Sequence, residues 1–307
     1  MKYAAGLDGG GTKTAVTVLD GKGRTVHTFE SGAINYNGED EASVRASLEL
    51  IVGAIARVCG GLEHCTQMCI GAAGVSNPTA VTRLETTVRS CGYAGGLTIV
   101  GDQETALYGG HDREFGMILI AGTGSICFGR TDTGLAHRTG GFGHLIDDEG
   151  SGYSIGRDLL AALVRAHDGR LPGFSFARHI HERLGLASIQ EIIRFVYDKG
   201  TNKKDIAALA PILSEACEAG DETALAIAVK SARSLFELVV PVAEKLSAQE
   251  GDLAMAGSVL LSNRFIQEAF LDLLKERYPG MRCFAAKRDA SAGAALMAWN
   301  RMRERRD

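Results

Sequence analysis

The sequence predicts an α/β protein built from two related domains. Its 307 residues are about twice the usual length of a single domain. A glycine-rich loop joins two strand patterns at Gly9, and the same arrangement recurs about 113 residues later, at Gly122. Strand and helix patterns alternate through the first half, whereas the second half is mostly helical. A repeated strand–loop–strand unit indicates two domains with related cores.

The composition fits a globular protein and argues against several kinds of partner. Hydrophobic residues make up 45% of the chain and the formal net charge is −4, so nothing global favours nucleic acid or an anionic membrane. The N-terminus lacks a signal-peptide pattern, and no uncharged apolar stretch reaches the roughly 20 residues of a membrane span. We therefore expect a cytoplasmic protein with no nucleic-acid and no membrane partner.

The cysteine pattern predicts free thiols. The chain has seven cysteines, an odd number, and none forms a Cys-x-x-Cys pair. A disulfide framework or a zinc ribbon would need pairs at regular spacing. We therefore expect small apolar side chains in a reducing compartment.

The first domain is predicted to open as a three-stranded antiparallel meander. Residues 3–8 form a short apolar strand, residues 14–19 alternate in polarity, and residues 25–29 form a third strand after a turn at 20–23. Apolar residues at spacings of three and four then predict an amphipathic helix. Its apolar face consists of Val44, Leu48, Ile51, Val52, Ile55 and Val58.

Two more strands are predicted to complete this domain. Residues 68–75 read as a strand that ends in a loop, and a helix begins at Pro78 and runs to about residue 91. Residues 97–100 form the next strand, which ends at Gly101-Asp102 and leads into a short helix.

The second domain is predicted to repeat the glycine-loop hairpin before it becomes helical. Residues 117–121 and 126–129 are strands on either side of the second glycine loop. Residues 151–249 are mostly helical, and Pro241 is expected to kink the long helix that contains it.

The C-terminal part returns to alternating elements. A strand at 253–256 precedes a helix at about 263–277 and a strand at 283–286. The final helix begins near Ser291.

The two glycine loops are candidate phosphate sites. Successive glycines let backbone N–H groups converge on one anion, and a hydroxyl and a lysine add further contacts. Neither loop is a P-loop, because the required spacing is absent and a strand follows instead of a helix. Either loop alone fits a plain hairpin turn equally well, but two in matching contexts favour a pair of phosphate cradles. The candidate phosphate-binding residues are Gly10, Gly11, Thr12, Lys13, Gly122, Thr123 and Gly124.

Two aspartates end predicted strands beside these loops. Asp8 precedes the first loop, where a carboxylate can hold Mg²⁺ through water. Asp102 lies at the carboxyl end of a strand, where ligand crevices form in α/β sheets. A kinase needs such a carboxylate to accept the proton of the acceptor hydroxyl. Capping of the following helix is an equal alternative for Asp102, and Glu104 is a weaker candidate for the base.

A glycine-rich acidic segment, residues 140–151, is a candidate sugar site. Carboxylates accept hydrogen bonds from sugar hydroxyls, and the ring of Phe142 can lie against a sugar. The alternative is an exposed acidic helix start. Asn35 and Asn37 suit hydroxyl recognition or a turn. Gly257-Ser258 suits close approach of a nucleotide or a tight strand–helix connection.

Together these segments resemble the N-acetylglucosamine kinase and BadF/BadG/BcrA/BcrD ATPase family of the actin, hexokinase and heat-shock chaperone superfamily. The resemblance covers nearly the whole chain. It implies two ribonuclease-H-like domains, residues 1–114 plus 288–307 and residues 115–287, with the nucleotide in a cleft between them. The segments that carry it are residues 7–14, 101–102, 121–125, 141–144 with 148–151, and 256–258.

The resemblance also implies roles for individual residues. Asp102 falls where these kinases keep the catalytic base. Phe142 stands where the related mammalian kinase has Trp, and Asp147 where it has Gly. Both departures concern recognition of the sugar rather than phosphoryl transfer. The implied sugar-binding residues are Asn35, Asp102, Thr123, Gly141, Phe142 and Asp148, and the adenosine-binding residues are Gly257 and Ser258.

The implied function is ATP- and Mg²⁺-dependent phosphorylation of the 6-hydroxyl of an amino sugar by a homodimer. N-acetylglucosamine is the first candidate, with glucosamine and N-acetylmuramic acid as alternatives. Within the family, an iron–sulfur activator of 2-hydroxyacyl-CoA dehydratases is the main rival, but the cleft regions offer only Cys127 as a ligand. A non-catalytic sugar sensor is a second rival, against which the intact Asp8 and Asp102 argue.

Overall fold

The computed structural model describes residues 1–10, 13–36, 40–75 and 77–304. The chain divides into two compact units. The first unit consists of Met1–Phe115 and Ala286–Asp307, and the second of Gly116–Ala285. The last helix therefore belongs to the same unit as the first strands.

The helices and strands follow one another with short connections. A single 3₁₀ turn, Leu62–His64, precedes the fourth strand. In chain order the elements are β1 (Tyr3–Gly9), β2 (Lys13–Leu19), β3 (Thr25–Gly32), α1 (Glu41–Cys59), β4 (Cys65–Ala72), α2 (Pro78–Ser90), β5 (Gly96–Gly101), α3 (Asp102–His111), β6 (Gly116–Ala121), β7 (Ser125–Arg130), β8 (Ala136–Gly140), α4 (Gly152–His167), α5 (Ala177–Leu184), α6 (Ile189–Tyr197), α7 (Lys203–Ala207), α8 (Ala210–Glu218), α9 (Glu222–Lys245), β9 (Asp252–Ala256), α10 (Ser258–Ser262), α11 (Arg264–Arg277), β10 (Arg282–Ala285) and α12 (Ala290–Glu304).

The sheet of the first unit has the strand order β3-β2-β1-β4-β5 among the described residues. The first three strands form an antiparallel meander, whereas β1, β4 and β5 are parallel. Parallel neighbours need a crossover connection, which α1 and α2 supply. Because parallel strands run in one direction, their carboxyl ends meet at one edge, where Gly9 pairs with Ala72 and Ala72 with Gly101. This register brings the ends of β1 and β5 to the same edge of the sheet.

Helix α12 packs directly on the first sheet because Gly6 of β1 has no side chain at the contact. A Cβ at Gly6 would lie 1.9 Å from the backbone nitrogen of Ala295, well inside the distance that atoms tolerate. The other face of the sheet is covered by α1, whose buried residues include Leu48, Ile51 and Ile55. The central parallel strands β1 and β4 are therefore buried on both faces, whereas β3 at the edge is mostly exposed.

The sheet of the second unit, as far as the structure describes it, has the order β10-β9-β6-β7-β8. Strands β6, β7 and β8 are antiparallel neighbours, and β6, β9 and β10 are parallel. Its strand order and directions thus reproduce those of the first sheet. The prediction of an α/β protein with two related cores is confirmed.

Several element boundaries differ from those predicted. Strand β4 starts and ends three residues earlier than expected, because its pairing with β1 and β5 begins near Cys65 and residues 73–75 form a turn. Strand β8 was not predicted, because its sequence is short and polar and it is stabilised by pairing with β7 at the edge of the sheet. Helix α9 contains Pro241 and continues to Lys245.

The cysteines are free thiols, as predicted. Most of them are buried, and burial raises the pKa of Cys69 to about 12. They therefore act as small apolar side chains. Within the described part of the chain, no helix combines the length and apolar character that a membrane crossing requires.

Candidate active site

Two carboxylates from other segments of the first unit influence that of Asp8 at the edge of its sheet. Asp8 ends β1, Asp102 begins α3 directly after β5, and Asp289 immediately precedes α12. Burial raises the pKa of Asp8 to about 6, the charges of Asp102 and Asp289 add to the rise, and the charge of Lys13 opposes it. A carboxylate in such surroundings favours a bound cation. The predicted magnesium residue and the predicted base are thus brought together.

Asp102 occupies the first turn of α3, and a neighbour supplies the capping contact there. Glu104 accepts a hydrogen bond from the backbone N–H of Gly101 at 3.1 Å, and Asp102 accepts one from the N–H of Gln103 at 3.0 Å. Glu104 therefore carries the contact that closes the helix start. The proton-accepting role of Asp102 stays a prediction.

The first glycine loop closes the β1–β2 hairpin. The N–H of Gly10 donates to the carbonyl oxygen of Lys13 at 3.1 Å. Gly11 and Thr12 lie outside the described residues. The ammonium of Lys13 forms an ion pair with Glu30 on β3, and both side chains are exposed. The phosphate contact of Lys13 stays a prediction.

The connection from β3 to α1 contains one candidate sugar residue. Asn35 is half-buried there, and Asn37 lies outside the described residues. The next residue, Tyr36, is fixed by a 2.7 Å hydrogen bond to Thr87 and by the guanidinium of Arg83, 4.2 Å from its ring centre. This anchoring positions the backbone that carries Asn35.

The second glycine loop is held against the start of α4. The N–H of Gly122 donates to the carbonyl oxygen of Gly124 at 3.0 Å. The carbonyl oxygen of Gly122 accepts from the N–H of Gly152 at 2.8 Å, and that of Thr123 from the N–H of Tyr153 at 3.2 Å. These bonds satisfy N–H groups that a helix start leaves unpaired. The loop is therefore fixed by the helix behind it.

Asp148 lies directly beside this second loop. Its side chain is only 3% exposed, and its Oδ1 accepts a hydrogen bond from the N–H of Ser125 at 3.2 Å. Burial raises the pKa of this carboxyl, and the Ser125 N–H opposes the rise. A Cβ at Gly124 would lie 2.8 Å from the same oxygen. The predicted sugar residue Asp148 is thus packed against a predicted phosphate residue.

The three consecutive acids have three different sets of partners. Asp147 accepts from the N–H of Phe142 at 2.9 Å, whereas Glu149 forms an ion pair with Arg157 at 2.8 Å and accepts from Ser154. Asp148 contacts Ser125 as described above. The acidic run therefore does not form one carboxylate surface.

Phe142 presents a partly covered aromatic ring. Its side chain is 61% exposed, and the guanidinium of Arg138 on β8 lies 4.5 Å from its ring centre. Gly141 has φ of 73°, a conformation that glycine adopts readily. A cation over one ring face leaves the rest of the ring available for an apolar contact. Sequence reasoning missed Arg138 because β8 was not recognised.

Gly257 and Ser258 lie against the second glycine loop. Gly257 has φ of 89°, and a Cβ there would lie 2.3 Å from the carbonyl oxygen of Ala121. A cavity of about 670 Å³, wholly within the second unit, includes Gly122, Thr123 and Ser258 in its wall. This size is typical of small-molecule sites. The cavity brings predicted phosphate and adenosine residues together.

Three charged residues in the wall of this cavity were missed by sequence reasoning. They are Arg183, Lys204 and Glu215. They come from the helical region between α5 and α8, where the amphipathic pattern does not reveal which polar residues face a ligand. Only the packing of those helices identifies them.

The carboxylates of the first unit suit a water-mediated magnesium ion. Among the described residues, no three His, Cys, Asp or Glu side chains are grouped to hold a metal ion directly. Mg²⁺ commonly keeps several waters and takes one or two carboxylates together with substrate phosphates. Asp8, with its raised pKa and acidic neighbours, fits that mode of binding.

Comparison with known proteins decides the family. The sequence profile of the BadF/BadG/BcrA/BcrD ATPase family matches residues 5–298. The chain belongs to this family. A relative from Clostridium acetobutylicum, named N-acetylmuramic acid/N-acetylglucosamine kinase, is 35% identical over 97% of this chain and 98% of its own.

Two further relatives extend the comparison. The N-acetyl-D-glucosamine kinase of Dictyostelium discoideum is 29% identical over 96% of this chain and 97% of its own. A solved structure from Chromobacterium violaceum, provisionally named an N-acetylglucosamine kinase, has a TM-score of 0.79 at 22% identity and covers 97% of this chain and 99% of its own. This BadF/BadG-family protein therefore shares the fold of that structure over nearly its whole length.

Proposed function

We propose that the protein is an ATP-dependent kinase that phosphorylates the 6-hydroxyl of an amino sugar, with N-acetylglucosamine as the first candidate. One observation carries the proposal: Gly122 and Thr123 of the second glycine loop share a nucleotide-sized cavity with Ser258, and Gly257 lies against that loop. The kinase names of the two sequence relatives support it. Because the Clostridium relative is named for both sugars, N-acetylmuramic acid is the second candidate.

In the proposed reaction, Asp102 accepts the proton of the 6-hydroxyl as its oxygen attacks the γ-phosphorus of ATP. The bond between that phosphorus and the β–γ bridging oxygen breaks, which yields ADP and the sugar 6-phosphate. The Gly10 and Gly122 loops hold the phosphates in line. Asp8 would hold a magnesium ion through water, and such an ion would supply positive charge beside the phosphates. Asn35, Thr123, Gly141, Phe142 and Asp148 are the proposed sugar contacts.

We further propose that residues 1–114 plus 288–307 and residues 115–287 are the two actin-like domains, and that the protein acts as a homodimer. The matching strand order of the two sheets supports the domain assignment. The frequency of twofold-symmetric dimers among oligomers supports the assembly. Size-exclusion chromatography with light scattering tests the dimer.

The activator alternative meets an obstacle in the structure. An iron–sulfur cluster shared between subunits needs thiolates at the surface. Cys127 is fully buried on β7, and burial raises its pKa well above that of a free thiol. It is therefore unsuited to ligate a cluster at a subunit contact.

A coupled ADP-release assay over a panel of sugars tests the proposal. The panel contains N-acetylglucosamine, glucosamine and N-acetylmuramic acid, with 6-deoxy-N-acetylglucosamine as the matched control. We expect ADP release with at least one sugar that has a 6-hydroxyl and none with the 6-deoxy compound. Binding of sugar and ATP without any ADP release would instead identify a sensor.

A further inference from the structure

We infer that Lys204 binds the phosphates of the nucleotide, an inference that rests on the proposed ATP-dependent function. Lys204 lines the same cavity as Gly122, Thr123 and Ser258. A lysine ammonium is a compact positive charge with three donors, which suits phosphate oxygens.

The position of Lys204 is fixed by the packing of α7 on α4. A Cβ at Gly156 would lie 2.1 Å from the carbonyl oxygen of Ile206, and one at Gly152 would lie 3.5 Å from the Cβ of Ala207. Two glycines of α4 thus allow α7 to approach closely. Gly152 also donates to the carbonyl oxygen of Gly122. The same helix start therefore positions both the second glycine loop and α7.

The cap of α7 fixes the backbone at Lys204 itself. Asn202 accepts a hydrogen bond from the N–H of Lys204 at 2.9 Å, and Asp205 accepts one from the N–H of Asn202 at 2.8 Å. A reciprocal cap of this kind holds the first turn of a helix in place. The side chain of Lys204 is half-buried.

The other lysines near the glycine loops already have carboxylate neighbours. Lys13 is paired with Glu30. Lys203 is close enough to Asp148 that its charge opposes the rise in pKa of that carboxyl. Lys204, by contrast, makes no ion pair with any residue that the structure describes. Its charge is therefore available to a ligand in the cavity.

Charge in the cavity agrees with a phosphate ligand. Arg183 and Lys204 are positive and Glu215 is negative, so the wall has an excess of one positive charge. Because Lys204 shares the wall with Gly122 and Thr123, its ammonium supplements the backbone N–H groups of the second loop. A neutral nucleoside would gain nothing from this charge.

Calorimetric titration of the full-length protein with ADP and with adenosine, both in the presence of Mg²⁺, tests the inference. Lys204→Met should weaken ADP binding about 10- to 100-fold, the range of one charge-assisted hydrogen bond, and leave adenosine binding unchanged. Lys204→Arg should retain most of the ADP affinity. Lys199→Met is the matched control, because it removes an exposed lysine outside the cavity, and it should bind ADP like the wild type.

The two ligands separate the possible failures. Unchanged ADP affinity in Lys204→Met would overturn the inference while leaving the proposed kinase function intact. Equal loss of ADP and adenosine binding would also overturn it, because the lysine would then be structural. If the wild-type protein bound neither ligand, the proposed function and the inference would both be wrong.

Discussion

Replacing Asp8 with asparagine should stabilise the protein at neutral pH while it reduces kinase activity. The ordinary pKa of an aspartate carboxyl is 3.8, and that of Asp8 is raised to about 6, first by burial and then by Asp102 and Asp289. One pKa unit corresponds to about 1.36 kcal/mol. Ionising Asp8 in the folded protein therefore costs about 3 kcal/mol more than in the unfolded chain.

The raised pKa of Asp8 makes the effect of the substitution on stability depend on pH. Because the folded pKa lies above the unfolded value, the stability that protonated Asp8 contributes is complete below about pH 3.8 and is lost as the pH rises through about 6. Asparagine does not ionise, so the variant avoids this loss. The difference in free energy of unfolding between the variant and the wild type should thus grow by about 2–3 kcal/mol between pH 4 and pH 8.

Tryptophan fluorescence during urea unfolding is a suitable assay for this prediction. Trp299 is the single tryptophan of the chain and lies in α12, within the unit that contains Asp8. The signal therefore reports on the unfolding of that unit. The measurements are made with EDTA and without nucleotide, so that no bound cation compensates the carboxylate.

Asp20→Asn is the matched control in the same unit. The pKa of Asp20 is lowered, chiefly by a hydrogen bond from the backbone of Arg24. This substitution should destabilise the protein at neutral pH, and the effect should fade as the pH falls. The assignment of Asp8 as a buried carboxylate with a raised pKa would be refuted by either of two results. The change in free energy of unfolding caused by Asp8→Asn could be independent of pH, or it could vary with pH in the same direction as the change caused by Asp20→Asn.

Three further predictions concern the chemistry and the two ligands. Asp102→Asn should lower kcat by at least about 10²-fold, the usual contribution of a general base, whereas Glu104→Gln should keep most of the activity. The ADP-release assay measures kcat for both variants. A larger loss of kcat in Glu104→Gln than in Asp102→Asn would make Glu104 the base. Gly257→Ala should abolish nucleotide binding and destabilise the protein by about 2 kcal/mol or more. The reason is that the new Cβ would lie 2.3 Å from the carbonyl oxygen of Ala121, and that residue 257 has a φ of 89°. Calorimetry with ADP measures the loss of binding, and urea unfolding measures the loss of stability. Phe142→Ala should raise KM for the sugar about 10-fold with little change in KM for ATP, since it removes one exposed ring; an equal rise for both substrates would argue against a sugar contact.

Much of the fold could be predicted because its signals are local. A hairpin is specified by a few residues on either side of a turn, so both glycine loops and their flanking strands were recognised from residues 3–19 and 117–129. The position of Asp102 after a strand followed from the same kind of pattern. The family resemblance rests on these local motifs and agrees with the match to residues 5–298.

The sequence by itself thus determined the two related cores, the glycine loops and the residues that belong to them. Only the tertiary structure placed Asp289 near Asp8, because that proximity depends on the return of the last helix to the first sheet. Only packing showed that Asp148 lies against Gly124 and that Lys204 lines the cavity. The physical reason is that the periodicity of a sequence shows which side of a helix or strand is apolar. Which residue a polar side chain contacts depends instead on how segments distant in the sequence pack together.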